Sequence, residues 1–236
     1  MTSGAIVDIP RKSLARITGG LYLAFVVALT IADRLGFGVG DNDLAQETLT
    51  THTSRFAVGL VFGLLSAFLF VMAAWGLYVL LKPVNKDLAL LFLLLNAIGV
   101  AIQVASYIPL IFAMLSVDAS SSLEAFSPVQ IEGLQYLAFD LYRLSFVAAQ
   151  LFFATWLFPL GYLVYKSGVL PKFLGVLLLL DGFAVLFWFF QGLLLPNYPA
   201  ISYPGLALSF VAEVGLGLWL LIKGIEEPAD EPVLVD

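Results

Sequence analysis

The sequence predicts an all-α membrane protein, built as one bundle of six transmembrane helices. Of its 236 residues, 61% are hydrophobic and only 12% are charged, whereas a soluble domain carries about 25% charged residues. The mean hydropathy is +1.00. Residues 58–81, VGLVFGLLSAFLFVMAAWGLYVLL, contain no charged side chain. A helix of about 20 such residues crosses the ~30 Å hydrocarbon core of a bilayer.

Six apolar stretches have the required length, and each should be helical because lipid offers no partners to open backbone groups. The predicted spans cover residues 14–33, 55–81, 87–115, 134–165, 173–195 and 204–222. They form one transmembrane domain over residues 1–225, followed by an acidic tail at 226–236. The first span lacks a small-x-small cleavage site, so we predict a retained anchor and not a cleaved signal peptide.

The distribution of lysine and arginine predicts the orientation. Only Arg34 and Arg55 fall in segments on one side of the predicted spans, and Arg143 falls within the fourth span. The other basic residues all fall on the opposite side: Arg11, Lys12, Arg16, Lys82, Lys86, Lys166, Lys172 and Lys223. Because basic residues collect in cytoplasmic loops, we expect both termini in the cytoplasm.

The fourth span is longer than a bilayer requires and carries two opposite charges near its outer end. Asp140 and Arg143 are three residues apart, so on a helix they share one face and can pair. They lie ~35–39 Å from the cytoplasmic end of the span. We expect them to form an ion pair at the outer mouth of the bundle; a plain interfacial pair that locks two helices together is the alternative.

Polar residues inside the spans form layers. Depth follows from the distance to the lysines at the span ends, at about 1.5 Å per helical residue. Three glutamines, Gln103, Gln150 and Gln191, lie ~24–29 Å from the cytoplasmic ends. Three other residues lie nine or ten residues from such a lysine and therefore near the midplane: Asn96, Asp181 and Glu213.

The midplane layer holds two acids and no basic residue. A charged carboxylate at the bilayer centre costs ~2.5–3.5 kcal/mol on insertion scales. We therefore expect Glu213 to hold a proton much of the time at neutral pH, with Asp181 sharing it and Asn96 as donor or acceptor. Such a cluster suits a proton-coupled transporter or a polar-ligand pocket. The alternative is that these groups only hydrogen-bond helices together.

Several kinds of chemistry are excluded by composition. The chain has no cysteine and one histidine, His52, so thiolate sites, multi-histidine metal sites and bis-histidine haem cannot form. No phosphate-binding loop and no basic patch for nucleic acid occurs. We predict no cofactor, no metal and no catalytic residue, and an enzymatic function is the least favoured reading.

At residues 161–180, GYLVYKSGVLPKFLGVLLLL, the sequence resembles a bacterial family of six-helix membrane proteins, the DUF4386 family. Residues 14–23, 77–91 and 212–224 are similar to other parts of it. The resemblance implies the six-helix fold and a bacterial plasma membrane; the function of the family is undefined, so it implies no activity. Glu213 matches an acidic position of the family.

The chain departs from the family pattern at other positions. The family often has polar or basic residues where this chain has Asn96, Tyr142 and Trp156, and commonly an acid at Trp188. Trp156 lies ten residues before Lys166 and so joins the midplane layer. The bulky indole of Trp156 can form part of the wall of an apolar pocket. Because this chain lacks the basic residues of the family at these positions, charge-relay chemistry is not expected here.

Two functions remain. The first is binding or transport of a small hydrophobic or weakly polar molecule or a lipid. This transport could be coupled to protons through the midplane carboxylates. The second is a non-catalytic accessory or sensory membrane subunit. With either function, the expected partners are the lipid bilayer and a further copy of the chain or a larger membrane complex. In the first case a ligand-binding or proton-binding site is formed by Asn96, Gln103, Gln150, Trp156, Asp181 and Glu213.

Overall fold

A computed structural model describes residues 10–37, 42–117 and 123–225 of the chain. The predicted acidic tail at 226–236 and parts of the two long loops lie outside these ranges. Seven α-helices occur in the described part: α1 Arg11–Ala32, α2 Asn42–Thr51, α3 Thr53–Leu81, α4 Lys86–Leu115, α5 Pro128–Lys166, α6 Lys172–Leu194 and α7 Tyr203–Ile222. A π-helical turn extends α1, and a 3-10 turn precedes α7.

All of these helices except α2 are long and apolar enough to cross a membrane. The predicted all-α fold with six spans is therefore confirmed, and the protein contacts the lipid bilayer along these helices. The end of the bundle that carries Arg11 and the short α3–α4 and α5–α6 connections is called the basic end. The end that carries α2 is called the far end.

Each spanning helix packs against the spans before and after it, in the order α1, α3, α4, α5, α6 and α7, and α7 packs against α1. The six helices therefore form a closed ring. Aromatic side chains fill much of its centre. The rings of Phe25 and Phe70 stack with centroids 4.1 Å apart, and Trp156 meets Phe70 edge-on at 5.2 Å.

Helix α2 was not expected, because residues 42–51 are polar and were interpreted as loop. One face of this helix is nevertheless apolar: Ala45 and Leu49, one turn apart, are both buried. They join a cluster at the far end that includes Phe56 of α3 and Phe139 of α5. Burial of this narrow face explains why a mostly polar segment is helical.

Helix α5 begins at Pro128, six residues before the predicted start of the fourth span. A capping box fixes this start, because the Ser127 backbone N–H donates to Gln130 Oε1 at 2.8 Å and the Gln130 backbone N–H donates to Ser127 Oγ at 3.4 Å. The Ser-x-x-Gln pattern is a recognised signal for a helix start. With 39 residues, α5 is about 58 Å long, so it extends beyond the hydrocarbon core as predicted.

Helices α1 and α7 close the ring through a backbone contact at glycine. A Cβ atom placed on Gly19 would lie 2.5 Å from the Leu221 backbone nitrogen and 2.6 Å from the Gly217 carbonyl oxygen. These atoms belong to a rigid helix backbone and cannot move alone. Only glycine therefore permits this approach of α1 to α7.

We predict that Gly19→Ala lowers the free energy of unfolding by about 1–3 kcal/mol, because the methyl group forces α1 and α7 apart. Gly20→Ala is the matched control, since its Cβ would meet only the flexible Leu221 side chain, at 3.8 Å. That variant should be as stable as the parent or slightly more so, given the helix propensity of alanine. Thermal unfolding of both variants in detergent tests the contact, and equal melting temperatures would contradict it.

Candidate functional site

The ring contains a half-open cavity of about 280 Å³ between the midplane and the far end, and two of its lining residues, Thr30 and Phe210, are also exposed on the outside of the bundle. All six spanning helices contribute to its wall, which is mostly apolar and rich in aromatic rings. Five polar residues interrupt this wall: Thr30 of α1, Gln103 of α4, Gln150 of α5, and Ser209 and Glu213 of α7. An apolar cleft with few polar groups is the usual form of a small-molecule site.

The two midplane acids lie on neighbouring helices, α6 and α7. Asp181 of α6 is fully buried, and the Ser209 hydroxyl of α7 donates a hydrogen bond to Asp181 Oδ1. Glu213 lies one helical turn after Ser209 on the cavity wall, close enough to Asp181 for direct electrostatic interaction. The acids therefore belong to one site, in which Glu213 faces the cavity and Asp181 lies behind Ser209.

A tyrosine that the sequence analysis did not select completes this group. Tyr22 of α1 is fully buried, and its phenol lies within electrostatic range of Glu213 and Asp181 without a hydrogen bond to either. Neither the Tyr22 hydroxyl nor Asp181 Oδ2 has a hydrogen-bond partner among the described residues. Buried polar atoms without a hydrogen-bond partner are rare and costly. The Tyr22 hydroxyl and Asp181 Oδ2 are therefore both available to a further hydrogen-bonding group.

Of the six predicted site residues, three line the cavity: Gln103, Gln150 and Glu213. Asp181 reaches it through Ser209. Asn96 and Trp156 are fully buried but do not line it. The side-chain amide of Asn96 has no hydrogen-bond partner within the described ranges, so its expected contact with the acids is not observed.

Trp156 lies on the basic-end side of the cavity, within the aromatic centre of the ring. Its indole packs against Phe70, which does line the cavity, and against Phe92 at a centroid distance of 6.2 Å. It thus supports the cavity floor through a neighbour and does not touch the space itself.

Tyr22 and Ser209 could have been found from the sequence. Tyr22 is eleven residues past Arg11, which places it at the depth of Glu213 when counted from the basic end. Ser209 precedes Glu213 by four residues and therefore shares its helix face. Both were missed because neither side chain carries a charge, and the layers were defined only by the strongly polar side chains.

The predicted ion pair at the far end is present. Arg143 Nη2 lies 3.3 Å from Asp140 Oδ1, and Asn42 Nδ2 of α2 donates to the same oxygen at 3.0 Å. Asp140 and Arg143 are 46% and 34% exposed, so solvent weakens their attraction. The pair joins α2 to α5, as in the interfacial alternative, and neither residue lines the central cavity.

A second cavity of about 370 Å³ adjoins the first at the far end. Leu29, Thr30, Phe146 and Trp188 line both. Its charged residues are Asp33 and Arg34, at the end of the first span. The charges that line this second cavity therefore come from the π-helical turn after α1, and not from Asp140 and Arg143 of α5.

These features define a multi-pass helical membrane protein with a cavity inside its helix ring. The chain belongs to the family described as domain of unknown function DUF4386, whose family model matches residues 17–224. It is similar to an uncharacterized protein of Archaeoglobus fulgidus, with 30% identity over 159 residues that cover 65% of this chain and 76% of the relative. No solved structure matches the chain. The resemblance found in the sequence is thereby confirmed.

We predict that Ser209→Ala lowers the free energy of unfolding by about 1 kcal/mol, because the interhelical bond to Asp181 is lost. Thr155→Ala is the control, since the Thr155 hydroxyl donates within its own helix, to the Leu151 carbonyl at 2.8 Å. Chemical unfolding in mixed micelles measures both variants. Equal stability of the two would show that the contact between Ser209 and Asp181 does not hold α6 to α7.

Proposed function

We propose that this protein binds and transports a small hydrophobic or weakly polar molecule in the central cavity. The observation that carries the proposal is a cavity bounded by every spanning helix, with Glu213 on its wall. Packing alone does not require such a space, because a ring closed only for stability gains more from filling its centre.

The cavity volume restricts the ligand. At about 280 Å³, it lies at the lower limit of the ~300–1,000 Å³ that is typical of small-molecule sites. A compact molecule fits this space, whereas an intact two-chain lipid does not. The adjoining cavity, which reaches Asp33 and Arg34, supplies an entrance from the far end.

Proton coupling is the second part of the proposal, and its groups face each other from three helices: Tyr22 of α1, Asp181 of α6, and Ser209 and Glu213 of α7. Ser209 Oγ also lies 3.1 Å from the Gly205 carbonyl oxygen. A hydroxyl carries one hydrogen, so an ionised Asp181, which accepts it, competes with the Gly205 carbonyl, whereas a protonated Asp181 would donate to Ser209 and leave that hydrogen to Gly205. This supports a proton held between the acids.

The same fold could serve a non-catalytic accessory subunit, in which the polar groups only join helices. The Ser209–Asp181 bond suits that role as well as it suits transport. The two functions differ in whether a small molecule occupies the cavity. Binding of a small neutral probe therefore separates them.

The orientation completes the proposal. We place the basic end, with both termini, in the cytoplasm of a bacterial cell, because lysines and arginines concentrate there. The far end, with its charged entrance, then faces outward.

A neutral, compact probe tests the cavity. We predict that 1-adamantanol raises the melting temperature of the purified protein, because a ligand that binds only the folded state stabilises it. In Leu206→Trp this shift should disappear, since Leu206 lines the cavity and the indole would fill it. The measurement is a thermal shift in detergent at increasing probe concentration.

Leu94→Trp is the matched control, because Leu94 of α4 is 52% exposed on the outer surface of the ring. It should keep the full shift. If the probe has no effect on the parent protein, or stabilises both tryptophan variants equally, the cavity does not bind small apolar molecules and the accessory function is favoured.

The orientation is tested by labelling single cysteines, since the chain has no cysteine of its own. We predict that Ala125→Cys, in the α4–α5 connection, reacts with a membrane-impermeant maleimide added to intact spheroplasts. Val84→Cys lies in the α3–α4 turn and is 38% exposed; it should react only after lysis. The reverse pattern would place the basic end outside.

A further inference from the structure

The polar groups at the cavity can accept hydrogen bonds but carry no positive charge. Among the described residues that form its wall there is no lysine, arginine or histidine. Glu213 is on the wall and Asp181 lies directly behind it. Gln103 is 2% exposed and lines the cavity, and its Oε1 atom has no hydrogen-bond partner within the described ranges.

The unpartnered Gln103 oxygen is a second indication, independent of the two acids. Asp181 Oδ2 also lacks a partner among the described residues. A buried acceptor without a donor costs about 1–3 kcal/mol. A ligand that brings several N–H donors removes this cost, whereas a ligand that brings only acceptors adds to it.

The rest of the wall suits a cation with an apolar body. Six aromatic side chains line the cavity: Phe25, Phe70, Phe146, Phe153, Trp188 and Phe210. The face of an aromatic ring attracts a positive charge, most strongly where water is excluded. The same rings also bury hydrocarbon, so they can hold both parts of one amphiphilic molecule.

We propose that the ligand of this site is a compact lipophilic amine, bound as its ammonium ion with the positive charge beside Glu213. This assignment of the substrate class rests on the proposed function of the cavity. The ammonium N–H groups donate to Glu213, the hydrocarbon body packs between the aromatic rings, and Gln103 offers a further acceptor on the wall nearer the far end.

Binding of the ammonium ion exchanges one positive charge for another. The O–H bond of the protonated carboxyl breaks, the proton leaves to water through the far-end cavity, and the ammonium takes its place beside the carboxylate. The net charge inside the membrane is unchanged by this exchange. Because burying an uncompensated charge is costly, exchange of a proton for an amine is the transport cycle that these acids favour.

Three probes that share one hydrocarbon cage test the proposal: 1-adamantanamine, 1-adamantanol and adamantane-1-carboxylate. They differ only in a polar group that is cationic, neutral or anionic at neutral pH. Isothermal titration calorimetry on the full chain in nanodiscs should give an affinity for the amine at least about tenfold above that for the alcohol, because charge-assisted hydrogen bonds are stronger than neutral ones. The carboxylate should not bind measurably.

Glu213→Gln removes the charge and keeps the shape of the side chain. In this variant the amine should lose its advantage over the alcohol, while binding of the alcohol stays within about twofold of the parent. Glu47→Gln on α2 makes the same chemical change on an exposed residue and should leave all three affinities unaltered. Amine binding should also release a proton, seen as a heat that varies with the ionisation enthalpy of the buffer.

The outcomes separate this inference from the function on which it rests. Equal binding of amine and alcohol, or an amine preference that survives in Glu213→Gln, overturns the amine assignment and leaves the apolar cavity in place. If none of the three probes binds the parent protein, both the cavity function and the amine assignment fail. Acidification towards about pH 5 should weaken amine binding more than alcohol binding, since protons compete for the carboxylate.

Discussion

The closed ring of six helices is the constraint on which the rest of the structure depends. Each span touches the spans before and after it, and α1 meets α7 through Gly19 and Gly217. A ring of this size has a centre that backbone atoms cannot reach, so side chains must fill it or leave a space. Phe25, Phe70 and Trp156 fill the part nearer the basic end, and a cavity remains between the midplane and the far end.

Within that ring, the placement of the acids follows from the free-energy cost of exposing a carboxyl group to lipid. A carboxyl group that faced lipid would have no partner, so Asp181 and Glu213 turn toward the interior, where Ser209 and Tyr22 are near. The interior contains acceptors and no basic group among the cavity-lining residues. In the proposed function, a proton or a bound cation offsets the cost of keeping both acids there.

The sequence predicted the all-α fold and the number of spans, because hydropathy depends only on order along the chain. Counting along the helices at 1.5 Å per residue also placed Asp181 and Glu213 at one level, and the structure brings Ser209, one turn before Glu213, to Asp181. It did not predict rotation about the helix axes. Asn96 and Trp156 were expected at the site, yet both are fully buried away from the cavity, since neighbouring helices decide which side of α4 and α5 meets it. Helix α2 was missed because its apolar face is narrow and its burial depends on Phe56 and Phe139, which are distant in sequence.

The most direct test of the central claim is whether reagents reach the cavity and whether its charge selects among them. Val185→Cys places a thiol on the cavity wall one turn from Asp181, and Phe187→Cys places one on the lipid-facing side of the same helix, where Phe187 is 49% exposed. An open cavity with an acidic wall predicts that the thiol at position 185 reacts with 2-aminoethyl methanethiosulfonate much faster than with the anionic 2-sulfonatoethyl reagent. It also predicts that Leu206→Trp blocks this reaction and that the thiol at position 187 reacts with neither. An unreactive thiol at position 185, or equal rates with both reagents, would contradict the account.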